Sequence, residues 1–125
     1  MLVRMILLFL AGGIGTLARY WLSSIVQRLS TSDLPYGTFA VNGLGCLLFG
    51  LVWALAEERL VISGEARFII LTGFMGAFTT FSTFAFESSV LLRDVQWWPA
   101  AGNIVAHNVV GISAVILGIA VAKLF

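Results

Sequence analysis

The stretch that most constrains this chain runs from Gly73 to Phe86. It packs two glycines, four hydroxyl residues and five phenylalanines into fourteen positions, inside an otherwise apolar segment. Such a run makes a poor uninterrupted helix. Each glycine costs about 1 kcal/mol relative to alanine in a helix interior, and Thr and Phe lose side-chain freedom there. Lipid punishes the alternative, because non-helical backbone at membrane depth survives only where it is buried in protein or lines a polar cavity. The sequence therefore predicts a helix broken near residues 76–80, at a place where something polar is served.

That argument presumes a membrane, and the composition supplies one. The chain has 125 residues, 60% hydrophobic and 10% charged, which excludes an ordinary soluble domain. The apolar character is spread over the whole length, so this is not a soluble domain with one anchor. About 20 apolar residues are needed per crossing, and four segments qualify: helices at about 2–27, 36–56, 66–92 and 97–124, within a single domain covering 1–125. The first run is too long for a signal peptide and lacks its polar cleavage region. Ser30, Thr31, Ser32 and Asp33 form the first turn, with Pro35 suited to the first helical turn after it. Glu57 to Glu65 and Arg93 to Gln96 mark the other two. Tyr20, Trp21, Tyr36, Trp97 and Trp98 fall near the predicted membrane faces, where amphipathic aromatics collect. The single Cys46 reads as a small contact residue, without a disulfide or a cysteine-based metal site. No basic cluster suggests nucleic acid.

Small residues recur at four-residue spacing: Ala11 and Gly15, Cys46 and Gly50, Gly73 and Ala77, then Ala114, Gly118 and Ala122. This pattern lets helix backbones approach closely. Four short helices enclose little interior, so a dimer or larger assembly is expected. The positive charges divide almost evenly between the two faces. Arg4, Arg59, Arg67 and Lys123 lie on one side; Arg19, Arg28 and Arg93 lie on the other. Orientation follows this asymmetry, and here it is nearly absent. Insertion both ways, with pairing as an antiparallel homodimer, is the expectation.

Depth follows from the rise of about 1.5 Å per helical residue. Measured from the face bearing the 28–35 and 93–96 turns, Asn42 lies roughly 9 Å and Phe84 roughly 12 Å inside. Phe81 shares a helix face with Phe84. Thr79 and Gly76 fall roughly 20–24 Å deep, near the midplane. Membrane carboxylates and histidines usually mark proton and cation paths. This region instead offers donors: the Asn42 amide, the hydroxyls of Thr79, Thr80, Ser82 and Thr83, and N–H groups freed where a helix restarts. Phenyl rings add positive edges, which suit an anion. Carbonyls freed at the end of the first half-helix would suit a cation. Plainer roles exist for each residue. Phenylalanines pack, Ser and Thr bond their own i−4 carbonyls, Arg19 snorkels, and Glu87 reaches water or pairs with Arg19. His107, Asn108 and Ser113 serve as interhelical hydrogen-bond groups.

Three runs together resemble the bacterial fluoride channel family. Gly12 to Tyr20 resembles its glycine-rich first-helix motif ending in arginine. Gly37 to Gly45 resembles its second-helix motif with a buried asparagine, and Gly73 to Phe84 its third-helix motif ending Thr-Thr-Phe-Ser-Thr-Phe. The matches cover three of the four spans; helix 4 carries no strong motif. The resemblance implies an all-α, dual-topology antiparallel dimer with two anion pathways in a bacterial inner membrane. Phe81 and Phe84 would bind fluoride through ring edges, and Asn42 would donate its amide nearby. Backbone carbonyls of Gly76 and Thr79 from both subunits would hold a structural sodium ion at the dimer centre. Arg19 would line an aqueous vestibule, and Glu87 would sit beside the path. Ser82, Thr83 and Ser113 would form a polar track beyond the phenylalanines.

The rival is a four-span drug exporter of the small multidrug resistance type. It needs a membrane-embedded carboxylate for proton exchange. Helix 1 has none, and Glu87 lies near a span end. An inert assembly subunit would explain the small residues but not the Thr/Phe cluster. One histidine, one cysteine and no paired carboxylates at depth argue against an enzyme.

Overall fold

A computed structural model describes residues 1–125 and is entirely helical. Four helical segments are long and apolar enough to cross a membrane, as the sequence predicts: Leu2–Leu29, Tyr36–Glu57, Gly64–Arg93 and Trp97–Ala122. The first two are helices α1 and α2. The third segment is composite. It opens with α3 (Gly64–Phe68), widens into a π-helical stretch at Ile69–Met75, tightens again in α4 (Gly76–Phe78) and resumes as α5 (Phe81–Arg93). The last span is α6 (Trp97–Ala122).

Between α4 and α5 two residues leave helical geometry. Thr79 has φ −81° and ψ 157°, and Thr80 has φ −148° and ψ 102°. Both are extended, and each conformation is open to any residue. The change of direction hands the chain from one neighbour to another. The π-helical stretch and α4 pack on α1, whereas α5 packs on α6. Helix α2 lies in the middle and touches every part of the bundle, most extensively α6. A small core of Val41, Leu71, Met75 and Phe78 gathers around that crossing, with Ala18, Leu22, Leu48, Val52 and Phe74 against it.

The small residues form the seams within one chain. A Cβ at Gly15 would collide with the Phe74 carbonyl oxygen, and one at Gly73 would press on Ala11, so α1 and the third span meet backbone to backbone. The α2–α6 seam is built the same way. Gly50 faces the Val115 carbonyl and Gly118 faces that of Leu47. Close approach without an intervening side chain is what small-residue faces provide in lipid.

The ends are tied locally. Gln27 donates to the Leu34 carbonyl at 3.0 Å and accepts from the Gly37 N–H at 3.0 Å, so one side chain fastens the first turn and the start of α2. At the opposite face Arg67 pairs with Glu57 and lies over the Trp53 ring, and Arg4 lies over Phe68. Large apolar side chains on the outer faces of α1 and α6, such as Phe9, Leu17, Val105, Ile112 and Ile116, are exposed. In a polar solvent that would be untenable; against lipid or a second copy it is expected.

Candidate functional site

The site grows from Thr80. An extended residue inside a helical bundle loses both of its helical backbone partners, and Thr80 is buried. Asn42, on α2, supplies both replacements. Its Oδ1 accepts from the Thr80 N–H at 2.8 Å, and its Nδ2 donates to the Thr80 carbonyl at 3.1 Å. One primary amide thus mimics the rung of a sheet, and this donor–acceptor pattern also fixes which way the amide faces. The Thr80 hydroxyl then caps α5 by accepting from the Thr83 N–H at 3.3 Å, and it shares a hydrogen bond with the Thr83 hydroxyl at 2.8 Å. The cap satisfies a donor that the restarted helix would otherwise leave orphaned.

Two carbonyls are released by the same geometry. In a continuous helix Gly76 O would receive the Thr80 N–H, and Thr79 O would receive the Thr83 N–H. Here the first donor goes to Asn42 and the second to the Thr80 hydroxyl. Gly76 is exposed and Thr79 is half-buried. The Thr79 hydroxyl donates to the Met75 carbonyl at 3.0 Å, leaving its own carbonyl uninvolved in that bond.

Thr80 sits in the wall between two cavities. The first, about 360 Å³, is bordered by Asn42, Thr79, Phe81, Phe84, His107 and Asn108, among others. Phe84 is 9% exposed and Phe81 78% exposed, so the first ring is part of the packing and the second stands at the surface of the chain. Their centroids are 5.5 Å apart at 57°. Phe84 also lies 4.4 Å from the His107 ring, which in turn meets Phe39 edge-on at 5.2 Å.

The second cavity, about 290 Å³, is walled by Arg19, Tyr20 and the hydroxyls of Thr16, Ser23, Ser24, Thr38 and Thr83. Arg19 makes no ion pair within the chain. A guanidinium among neutral hydroxyls gives this cavity a positive potential, which favours anions. A third hollow, with Glu87, Thr38, Gln27 and Asp33, lies toward the first turn. There Glu87 accepts from the Thr38 hydroxyl at 2.6 Å, so its partner is Thr38 and not Arg19.

The sequence-derived candidates therefore divide. Asn42, Thr79, Phe81 and Phe84 share the first cavity, Arg19 and Thr83 the second, and Glu87 the third. Ser82 is exposed, 3.5 Å from the Thr80 hydroxyl. Ser113 is exposed on α6 and borders none of these three cavities. The sequence offered the Thr80 hydroxyl only as one donor among several, and gave no role in the site to Thr38 or His107. His107 carried a usable signal, since it is the only histidine in the chain and lies within a span. The pairing of Asn42 with Thr80 carried none, because the two are 38 positions apart.

Chemically, the arrangement gathers neutral donors, phenyl rings and one guanidinium without an ion-pair partner around Thr80, with the Glu87 carboxylate engaged by a hydroxyl. A relative from Nitrosococcus oceani, named fluoride-specific ion channel FluC, is 59% identical over 115 residues, covering 92% of each chain. Another of that name, from Solidesulfovibrio magneticus, is 49% identical over 99% of both chains. A third, from Chloroflexus aurantiacus, is 44% identical over 93% of this chain and 92% of the relative. A family model described as CrcB-like protein, Camphor Resistance (CrcB), matches residues 6–119. With its four spans and its near-complete match in length, this chain is a multi-pass membrane protein that belongs to the CrcB-like family.

Proposed function

We propose that this protein is a passive, fluoride-selective ion channel, not an enzyme, that exports fluoride across a bacterial inner membrane and so relieves its toxicity. The observation that carries this is the pair of phenylalanines with Asn42 around one cavity beside the extended Thr80. The name shared by relatives up to 59% identical gives the ion its identity.

Fluoride is small and strongly hydrated, so a path must replace most of its water with hydrogen-bond donors or positive edges. Conduction also requires that no site hold the ion too firmly. Neutral amide and hydroxyl donors with phenyl edges meet both conditions; a row of arginines would not. In this reading Arg19 draws anions into its hydroxyl-lined vestibule. Asn42 and the edges of Phe81 and Phe84 then carry the ion past Thr80. Ser82, Thr83 and Ser113 extend the polar track, and Glu87 stands beside it. Phe81, exposed in a single chain, is covered in the assembled channel.

The functional unit is an antiparallel homodimer with two pathways, supported by the even division of positive charge between the faces. The third span is a broken helix with its extended pair at the midplane, where the dimer axis would lie. A structural sodium ion fits the groups present, since the Gly76 and Thr79 carbonyls have both lost their helical donors. Hard oxygen ligands suit such a cation. When bound, it would add fixed positive potential near the anion path.

The test is efflux of fluoride from loaded liposomes, with chloride and proton flux as controls. Phe81→Ile and Phe84→Ile are each expected to abolish fluoride efflux while the dimer survives size-exclusion analysis. Wild-type rates in both variants would overturn the pore assignment, and ethidium–proton exchange by the native protein would overturn the channel itself.

A further inference from the structure

An anion in the first cavity needs N–H or O–H hydrogens, and most of those on the bordering residues are already spent. The Thr79 hydroxyl donates to the Met75 carbonyl at 3.0 Å, and the Thr80 hydroxyl is engaged with that of Thr83 at 2.8 Å. The Thr80 N–H goes to Asn42. His107 places Nδ1 3.0 Å from the Asn103 carbonyl oxygen, which only accepts, and its other ring nitrogen is buried. The Cys46 thiol is a weak donor. Two side-chain amides remain. Each amide nitrogen carries two hydrogens. Asn42 gives one to the Thr80 carbonyl at 3.1 Å, and Asn108 gives one to the Ile104 carbonyl at 2.7 Å. Each keeps a second hydrogen that no protein group accepts.

Asn108 differs from its neighbour His107 in being exposed. It borders the first cavity and neither of the other two around Thr80 and Glu87. Its bond to Ile104 settles which end of the amide faces its own helix, since a carbonyl accepts only from nitrogen. The seam between α2 and α6 sets its height. A Cβ at Gly43 would lie 3.9 Å from Val110, one at Gly111 would lie 3.5 Å from the Cys46 sulfur, and one at Gly50 would strike the Val115 carbonyl. These contacts rise in the same order along both helices, which therefore run parallel. Asn42 and Asn108 come one and two residues before the first of them, so they stand within about one helical turn of each other in height, about 5.4 Å. An open amide at that depth is costly against hydrocarbon. Facing the cavity relieves that cost only when the cavity holds something that accepts a hydrogen bond.

We propose that Asn108 is a second amide donor to the transported anion, giving its free Nδ2 hydrogen to the ion while Asn42 gives its own from α2. This rests on the anion-pathway reading above. Both amides are held by one hydrogen to a backbone carbonyl and offer the other, so neither must reorganise when the ion arrives. Two neutral donors replace two waters of hydration without adding a charge that would trap the ion. The cavity, at about 360 Å³, has room for the ion and its remaining water.

Two measurements test this. In liposome efflux, Asn108→Leu keeps the volume and removes the amide, whereas Asn108→Gln keeps the amide one methylene further out. Asn108→Leu is expected to lose at least about tenfold in fluoride flux, the scale of one hydrogen bond to an ion, while eluting as the native protein does in size-exclusion analysis. Asn108→Gln is expected to retain more flux than Asn108→Leu. Native flux in Asn108→Leu, or equal loss in the two variants, overturns the proposal. So does a loss of flux that comes with an altered elution, which would make Asn108 a contact between subunits. Absence of fluoride flux in the native protein instead overturns the channel reading itself. Independently of any variant's folding, 15N-asparagine labelling of the native protein yields three side-chain amides, from Asn42, Asn103 and Asn108. Asn103 donates to the Ser88 hydroxyl at 2.9 Å and lies outside the first cavity, so it serves as the control. Fluoride titration is expected to shift two of the three amides, each mainly in one of its two hydrogens. Any other number of shifting amides overturns it.

Discussion

Asn42→Ala removes a side chain that serves two backbone groups at once. The Thr80 N–H and carbonyl are bonded at 2.8 and 3.1 Å, and Thr80 is buried. Leaving a buried polar group unpaired costs about 1–3 kcal/mol, so the pair is worth roughly 2–6 kcal/mol. Two effects lower that figure. Interhelical hydrogen bonds in membrane proteins average nearer about 0.6 kcal/mol, because the unfolded chain in lipid also finds partners. Thr80 also borders two cavities, through which water can reach its backbone. One effect opposes them, since Thr79 and Thr80 cannot simply rejoin a helix without moving α5 off α6. The expected loss is about 2–4 kcal/mol, read as unfolding free energy by denaturant titration in mixed micelles. Asn42→Leu should lose as much despite its larger apolar side chain, which separates lost hydrogen bonding from lost packing. A loss below about 0.5 kcal/mol in both variants would refute the argument. It would mean that the extended pair is held by its neighbours and that Asn42 is free for other work.

Two further outcomes follow from the packing and the turns. A Cβ at Gly118 would strike the Leu47 carbonyl oxygen and lie 2.7 Å from the Leu51 nitrogen, both backbone atoms that cannot swing aside. Gly118→Ala should therefore destabilise by about 1–3 kcal/mol, seen as a lower thermal midpoint in detergent; an unchanged midpoint would mean that the α2–α6 seam is looser than described. Val95 is a β-branched residue at φ 60° in the turn before α6, a conformation that costs an L-residue roughly 1–2 kcal/mol. Val95→Gly should raise stability by about 1 kcal/mol without altering flux, and a destabilised variant would show that the valine side chain contributes more than its backbone strain costs.

How much of this was legible in advance depends on the range of the interaction. Four spans and their turns follow from local hydropathy, and the structure contains four such helices. The small-residue faces were visible as a pattern, but not their partners. Gly15 meets Phe74 and Gly118 meets Leu47, so these seams close the chain on itself before any second copy is considered. Glu87 illustrates the opposite case. A shared predicted membrane face made Arg19 a reasonable partner, yet Thr38 on α2 is the residue that reaches the carboxylate, and α2 packs against both α1 and α5. Ser113 lies exposed on α6, outside the cavities that a single chain forms around Thr80, a placement that its position in the sequence does not reveal.

What the sequence by itself determined is the medium and the inventory. Hydrophobic runs of sufficient length commit the chain to lipid. The crowd of Gly, Thr, Ser and Phe in Gly73–Phe86 says that this segment cannot be plain helix at no cost. What only the tertiary structure decided is which groups answer that cost. Thr79 and Thr80 take the extended conformation, and Asn42 from 38 residues away replaces the lost backbone partners. Propensity and hydropathy are sums over neighbours in the chain. The satisfaction of a buried donor or acceptor depends on whichever helix lies alongside, and that is settled only when the helices have packed.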